Sequence, residues 1–152
     1  MLLTKIRLFL AILIASFVMI SSTWAAESLQ DKVEIESPVI FQMANGAKGT
    51  GSKMTIHNNT GKTLVINNFT VDDFKKTMFH GTKYKAGKRN MFMVKNITIP
   101  AQKKLALTPN TRHFMMFGPK RELEIGEYLT MVINTNQGDF KVIAQVVPRK
   151  LK

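Results

Sequence analysis

Lys53-Met54-Thr55-Ile56-His57-Asn58-Asn59-Thr60-Gly61-Lys62-Thr63-Leu64-Val65-Ile66-Asn67 decides the fold class of this chain. Two runs rich in β-branched and apolar residues flank Asn-Asn-Thr-Gly-Lys, which reads as a hairpin with a glycine-containing loop. The same grammar extends in both directions. Upstream, Val33-Glu34-Ile35-Glu36 alternates apolar and polar, Pro38 reads as a break, and Val39-Ile40-Phe41 resumes. Asn45-Gly46 and Gly49-Thr50-Gly51 mark turns. Downstream, short strands are expected over 78–84, 90–95, 104–107, 113–117, 128–134 and 140–147, with room for a helical turn only at 71–76 and 121–126. Seven or more short strands separated by Gly, Pro and Asn predict an antiparallel sandwich or barrel. Periodicity does not choose between those topologies.

The first residues read differently. Lys5 and Arg7 precede an apolar run over 8–20 interrupted only by Ser16, and small residues follow it up to Ala25 and Ala26. This is the pattern of a secretory signal peptide, cut after Ala25 or, alternatively, after Ala26. The 13-residue run is shorter than the roughly 20 residues needed to cross a bilayer. The expected organisation is therefore a signal peptide over 1–25 and one domain over 26–152, exported to the periplasm. A mature chain of about 127 residues is long enough for a single packed core without disulfides.

The sequence contains no cysteine. A lipid-modified cysteine at the cleavage point is thereby excluded, as is a blue-copper electron-transfer site, which needs a thiolate. Any metal must be held by nitrogen, oxygen or thioether sulfur. With 22 basic and 10 acidic residues the chain is strongly cationic, and removal of Lys5 and Arg7 with the leader still leaves 20 basic residues. Such an excess suits acidic partners through long-range attraction, although most of these charges read as a solvated face. Nucleic acid is a poor partner for an exported chain.

Between positions 78 and 117 the sequence concentrates histidine and methionine. His80, Met91, His113 and Met115 are spaced His-x10-Met-x21-His-x-Met. Thioether sulfur prefers Cu(I) to harder ions, so two imidazoles with two thioethers suggest a soft-metal site. On strands, side chains alternate faces. His113 and Met115 therefore share a face, as do Met91 with Met93 and Met78 with His80. Met54, Met93, Met116 and Met131 read mainly as core fillers. Met93 and Met78 are the two that could assist the site, and His57 reads as a surface residue.

This spacing resembles the motif of the periplasmic Cu(I) chaperones of the PCuAC family. Residues 51–68 (GSKMTIHNNTGKTLVINN) and 97–109 (ITIPAQKKLALTP) are similar to the family's segments at those places, and the likeness covers roughly 33–147. Ahead of the second histidine the family's Pro-Gly-Gly-like turn is replaced by Pro109-Asn110-Thr111-Arg112, where asparagine is expected to supply a positive φ. The resemblance implies an all-β, antiparallel Greek-key sandwich of cupredoxin-like form. It also implies one Cu(I) bound by His80, Met91, His113 and Met115. Such proteins pass the ion to an acceptor such as a copper subunit of cytochrome c oxidase or a Sco-like protein.

Enzyme chemistry finds little support. Three histidines and no cysteine leave few nucleophile or base sets, and a zinc hydrolase prefers carboxylate to thioether ligands. The competing class is a metal-free secreted basic β-sandwich that works as an interaction or adhesion module.

Overall fold

A computed structural model describes residues 27–149. The expected leader over 1–25 lies outside the described residues. One helical turn, α1 (Leu29–Lys32), is followed by ten strands: β1 (Val33–Phe41), β2 (Gly49–Asn58), β3 (Leu64–Val71), β4 (Phe74–Lys85), β5 (Lys88–Val94), β6 (Ile97–Ile99), β7 (Lys103–Leu107), β8 (Arg112–Pro119), β9 (Tyr128–Thr135) and β10 (Gly138–Val147). The hydrogen-bonded order is β5-β4-β8-β2-β1-β10-β9-β3-β6, with β7 also on β2. Pairing is antiparallel except between β1 and β10. The sheet folds over a core, and the result is the expected cupredoxin-like all-β sandwich.

That core forms because inward positions alternate with outward ones along each strand. Phe69 of β3 stacks on Phe114 of β8 at 4.4 Å and on Phe79 of β4 at 5.5 Å between ring centroids. Three aromatic rings from facing strands thus pin β4 and β8 against β3. Ile56, Ile66, Ile97, Met116, Met131 and Ile133 are wholly buried around them.

The stretch over 53–67 is extended on both sides of its loop, but it is not a hairpin. β2 pairs with β1, β7 and β8, whereas β3 pairs with β6 and β9. The buried side chain of Asn58 explains the difference. Its amide donates to the carbonyls of Lys62, Ile99 and Pro100 at 2.9, 3.0 and 3.1 Å. Its Oδ1 accepts from the Thr60 N–H and hydroxyl at 3.1 and 2.6 Å. These bonds satisfy the loop internally and tie it to the β6–β7 connection, so the chain turns away into another part of the sheet.

Other local expectations change for equally local reasons. Pro38 does not end a strand, because β1 runs through it with a register shift between Glu36 and Val39 and with Ser37 at φ 50°. A bulge accommodates the missing N–H. Residues 71–76 and 121–126 hold no helix, and the one helical turn among the described residues is α1, within the segment preceding the first strand. Among the described residues no helix is long and apolar enough to cross a membrane.

Candidate metal centre

A tight turn sets the register of the strands that carry the histidines. Lys85 and Lys88 face each other across Ala86 and Gly87, whose φ angles are 49° and 72°. Two successive residues at positive φ make the turn whose twist suits a two-residue hairpin. From there the pairing of β4 with β5 places Met91 opposite Thr82 and Met93 opposite His80. On the other side of β4, His80 is opposite His113 and Met78 is opposite Met115. Gly51 of β2 lies opposite Met115 in turn. Strand alternation sends Phe79 and Phe114 into the core and turns Met78, His80, His113 and Met115 to the other face.

The spacing of these groups suits a shared ligand. The His80 and His113 rings are 6.0 Å apart between centroids, with planes at 83°. An ion bound about 2.0 Å from a ring nitrogen sits about 3 Å from that ring's centre, so the 6.0 Å between the centres matches the span of one ion shared by two rings. The Sδ of Met78 is 2.9 Å from Nε2 of His80. A methyl group on Gly51 would stand 3.2 Å from Sδ of Met115 and 3.5 Å from Cδ2 of His113. The bare glycine therefore leaves room for thioether and imidazole together. Loop 108–111 is tied down beside them: the Thr82 hydroxyl donates to the Pro109 carbonyl at 2.7 Å, and the Thr82 N–H to the Thr111 carbonyl at 2.8 Å. Asn110 closes this loop without a positive φ. Instead Thr111 N–H bonds Thr108 O at 3.0 Å, an ordinary turn.

Electrostatics favour neutral rings. His113 is only 1% exposed. Burial lowers its pKa first, the Thr111 carbonyl opposes this, and the His80 and Arg89 charges lower it further. Burial also lowers the pKa of His80. Among the described residues the buried Nδ1 of each ring has no hydrogen-bond partner. A buried polar atom without a partner costs free energy, and a bound cation is one way to supply the partner. Among the described residues no three His, Asp or Glu side chains converge. The donors that accompany the imidazoles on this face are thioether sulfurs, the preference of a soft cation.

His80, His113 and Met115 thus come together as one cluster. Met91 shares their face but lies diagonally from His80, and it is 51% exposed on the edge strand β5. Met93 is not a core residue. It is 73% exposed, because among the described residues β5 has no strand beyond it and its outer face meets solvent. Met54, Met116 and Met131 are buried in the core. His57 is partly buried and lies 3.3 Å from Glu36. Sequence reasoning missed the cradle at Gly51, because Gly49-Thr50-Gly51 read as a turn, whereas all three residues lie on β2 and pair with β8.

Comparison with known proteins gives a consistent picture. The family model for LpqE-like lipoproteins matches residues 33–146. The apo PCuAC domain from PmoF1 superposes with a TM-score of 0.65 at 22% identity, covering 78% of this chain and 95% of that one. The copper-bound PCuAC domain from PmoF2 gives 0.65 at 18% identity over 82% and 99%. The solution structure of Cu(I)-DR1885 from Deinococcus radiodurans gives 0.64 at 23% identity over 84% and 85%. At these identities the likeness is one of fold. No curated protein sequence matches the chain.

Proposed function

Since the chain belongs to the LpqE-like family, of PCuAC type, we propose that it is an exported copper chaperone that holds one Cu(I) through His80, Met91, His113 and Met115. The observation that carries this reading is the cross-strand pair His80 and His113, with rings 6.0 Å apart, on a face that also carries the thioethers of Met78 and Met115. The copper in the PmoF2 and DR1885 structures of the same fold supports it.

Such a ligand set performs custody of the ion, with no turnover. Neutral imidazoles and thioethers bring no negative charge, so Cu(I) keeps its single positive charge and needs no crowded anions. Rings whose pKa is lowered have no proton to lose before the ion binds. Because Met91 is exposed while His113 is buried, an incoming donor meets the outer side of the site first and can replace ligands one at a time. The leader directs one domain, 26–152, to the periplasm. The acceptor is a copper subunit of cytochrome c oxidase or a Sco-like protein, docked through the basic surface with an ionic-strength-dependent encounter.

Competition of the mature protein against a Cu(I) chelator tests this reading. About one equivalent is expected to stay with the wild type, and His80→Ala, Met91→Leu, His113→Ala and Met115→Leu are expected to weaken retention. Wild-type retention by all four variants defeats the assignment.

A further inference from the structure

Met78 stands outside the four-residue motif, yet its thioether touches an imidazole of the site. Its Sδ lies 2.9 Å from His80 Nε2, and the residue faces Met115 directly across β4 and β8. Nitrogen and sulfur donors bound to one ion at about 2.0 and 2.3 Å lie about 3–3.5 Å apart for angles between a right angle and the tetrahedral value. The observed pair is close to that separation. Met91, by contrast, faces Thr82 from the edge strand and is half exposed.

We propose that this face carries two overlapping ligand sets that share His80, His113 and Met115: an inner set completed by Met78, in which Cu(I) rests, and an outer set completed by Met91, through which Cu(I) is loaded and released. The proposal rests on the copper reading above and deepens it. Three or four donors satisfy Cu(I), and with Met93 opposite His80 six stand on this face, so one thioether can leave as another arrives. Methionine has three rotatable bonds and an unbranched chain, which lets an exposed thioether swing between solvent and the site. Met78 is held on a central strand between β5 and β8, whereas Met91 lies on a strand with one open edge. Met78 therefore sets affinity, and Met91 sets the rate of exchange.

Methyl NMR of wild-type protein carrying 13C-labelled methionine methyl groups, titrated with Cu(I), tests this without any substitution. At one equivalent the Met78 and Met115 methyl signals are expected to shift together, with a smaller response at Met91. Two variants then separate the roles. Met78→Leu is expected to weaken Cu(I) retention against a chelator by about 100-fold, the upper end of what even outer partners of a metal site cost. Met91→Leu is expected to weaken equilibrium retention by less than about tenfold while it slows both loading and release. Shifts at Met91 and Met115 with none at Met78 overturn the two-set proposal and leave the four-residue site standing. No shift at any methionine, with no copper retained, overturns the copper reading itself.

Discussion

Gly51→Ala separates the site from the fold more cleanly than removal of a ligand. Gly51 lies on β2 and is absent from the residues at positive φ, so an added Cβ meets no backbone strain. What it meets is the thioether of Met115 at 3.2 Å and the ring edge of His113 at 3.5 Å. Ordinary contacts of this kind settle at about 3.5–4.0 Å, so the flexible sulfur retreats by about 0.5 Å. In the apo protein that movement is cheap. The smaller conformational freedom of alanine in the unfolded chain contributes about 0.4–1 kcal/mol in the other direction, and the melting temperature is expected to stay near that of the wild type. Metal binding is less forgiving, because ligand distances tolerate only about 0.2 Å. A displacement of about 0.5 Å is expected to weaken Cu(I) binding by about tenfold, equivalent to about 1.4 kcal/mol. Chelator competition on the loaded protein, with thermal unfolding of the apo protein alongside, reads both quantities. Wild-type affinity in Gly51→Ala, with Met115→Leu clearly weakened, would falsify the claim that the glycine makes room for the ligands.

Four further outcomes follow from the same geometry. Phe114→Ala removes a wholly buried ring stacked at 4.4 Å on Phe69, and chemical denaturation should show a loss of about 3–5 kcal/mol. Asn58→Ala leaves several buried polar groups around the 59–63 loop without partners, at a cost of about 1–3 kcal/mol for each group left unsatisfied, read in the same assay. Burial holds the His80 and His113 pKa values below the unfolded reference of about 6.5. Below that value the unfolded chain binds more protons, so apo stability falls as pH drops through about 6.5 toward the folded pKa values. Melting curves between about pH 7.5 and 5.5 should show this slope, and His113→Leu should flatten it. Ala86→Gly relieves a non-glycine residue at φ 49° in the β4–β5 turn and is expected to raise stability by about 0.5 kcal/mol, whereas Gly87→Val at φ 72° should lower it by about 1–2 kcal/mol.

The β class of this chain was legible because alternation along a strand is a local property. Val33-Glu34-Ile35-Glu36 and Lys53-Met54-Thr55-Ile56 show their faces in the order of their residues, whatever they later pair with. The pairing of His113 with Met115 on one face followed from the same period of two. Non-local partners were invisible, since a turn sequence states that the chain reverses and not which strand receives it. The loop over 59–63 looked like a hairpin until the buried Asn58 amide bound the carbonyls of Ile99 and Pro100, which lie some forty residues away. The metal face divides in the same way. Residue types and spacing pointed to His80, Met91, His113 and Met115, but only the register set by the two-residue turn at Ala86 and Gly87 placed Met93 opposite His80 and Met91 one pair further out. Likewise only the packing of β2 against β8 showed that Gly51 leaves space beneath Met115. Side-chain chemistry and strand period are written residue by residue along the chain. Register, burial and the meeting of distant donors are properties of contacts that exist only once the sheet has closed over its core.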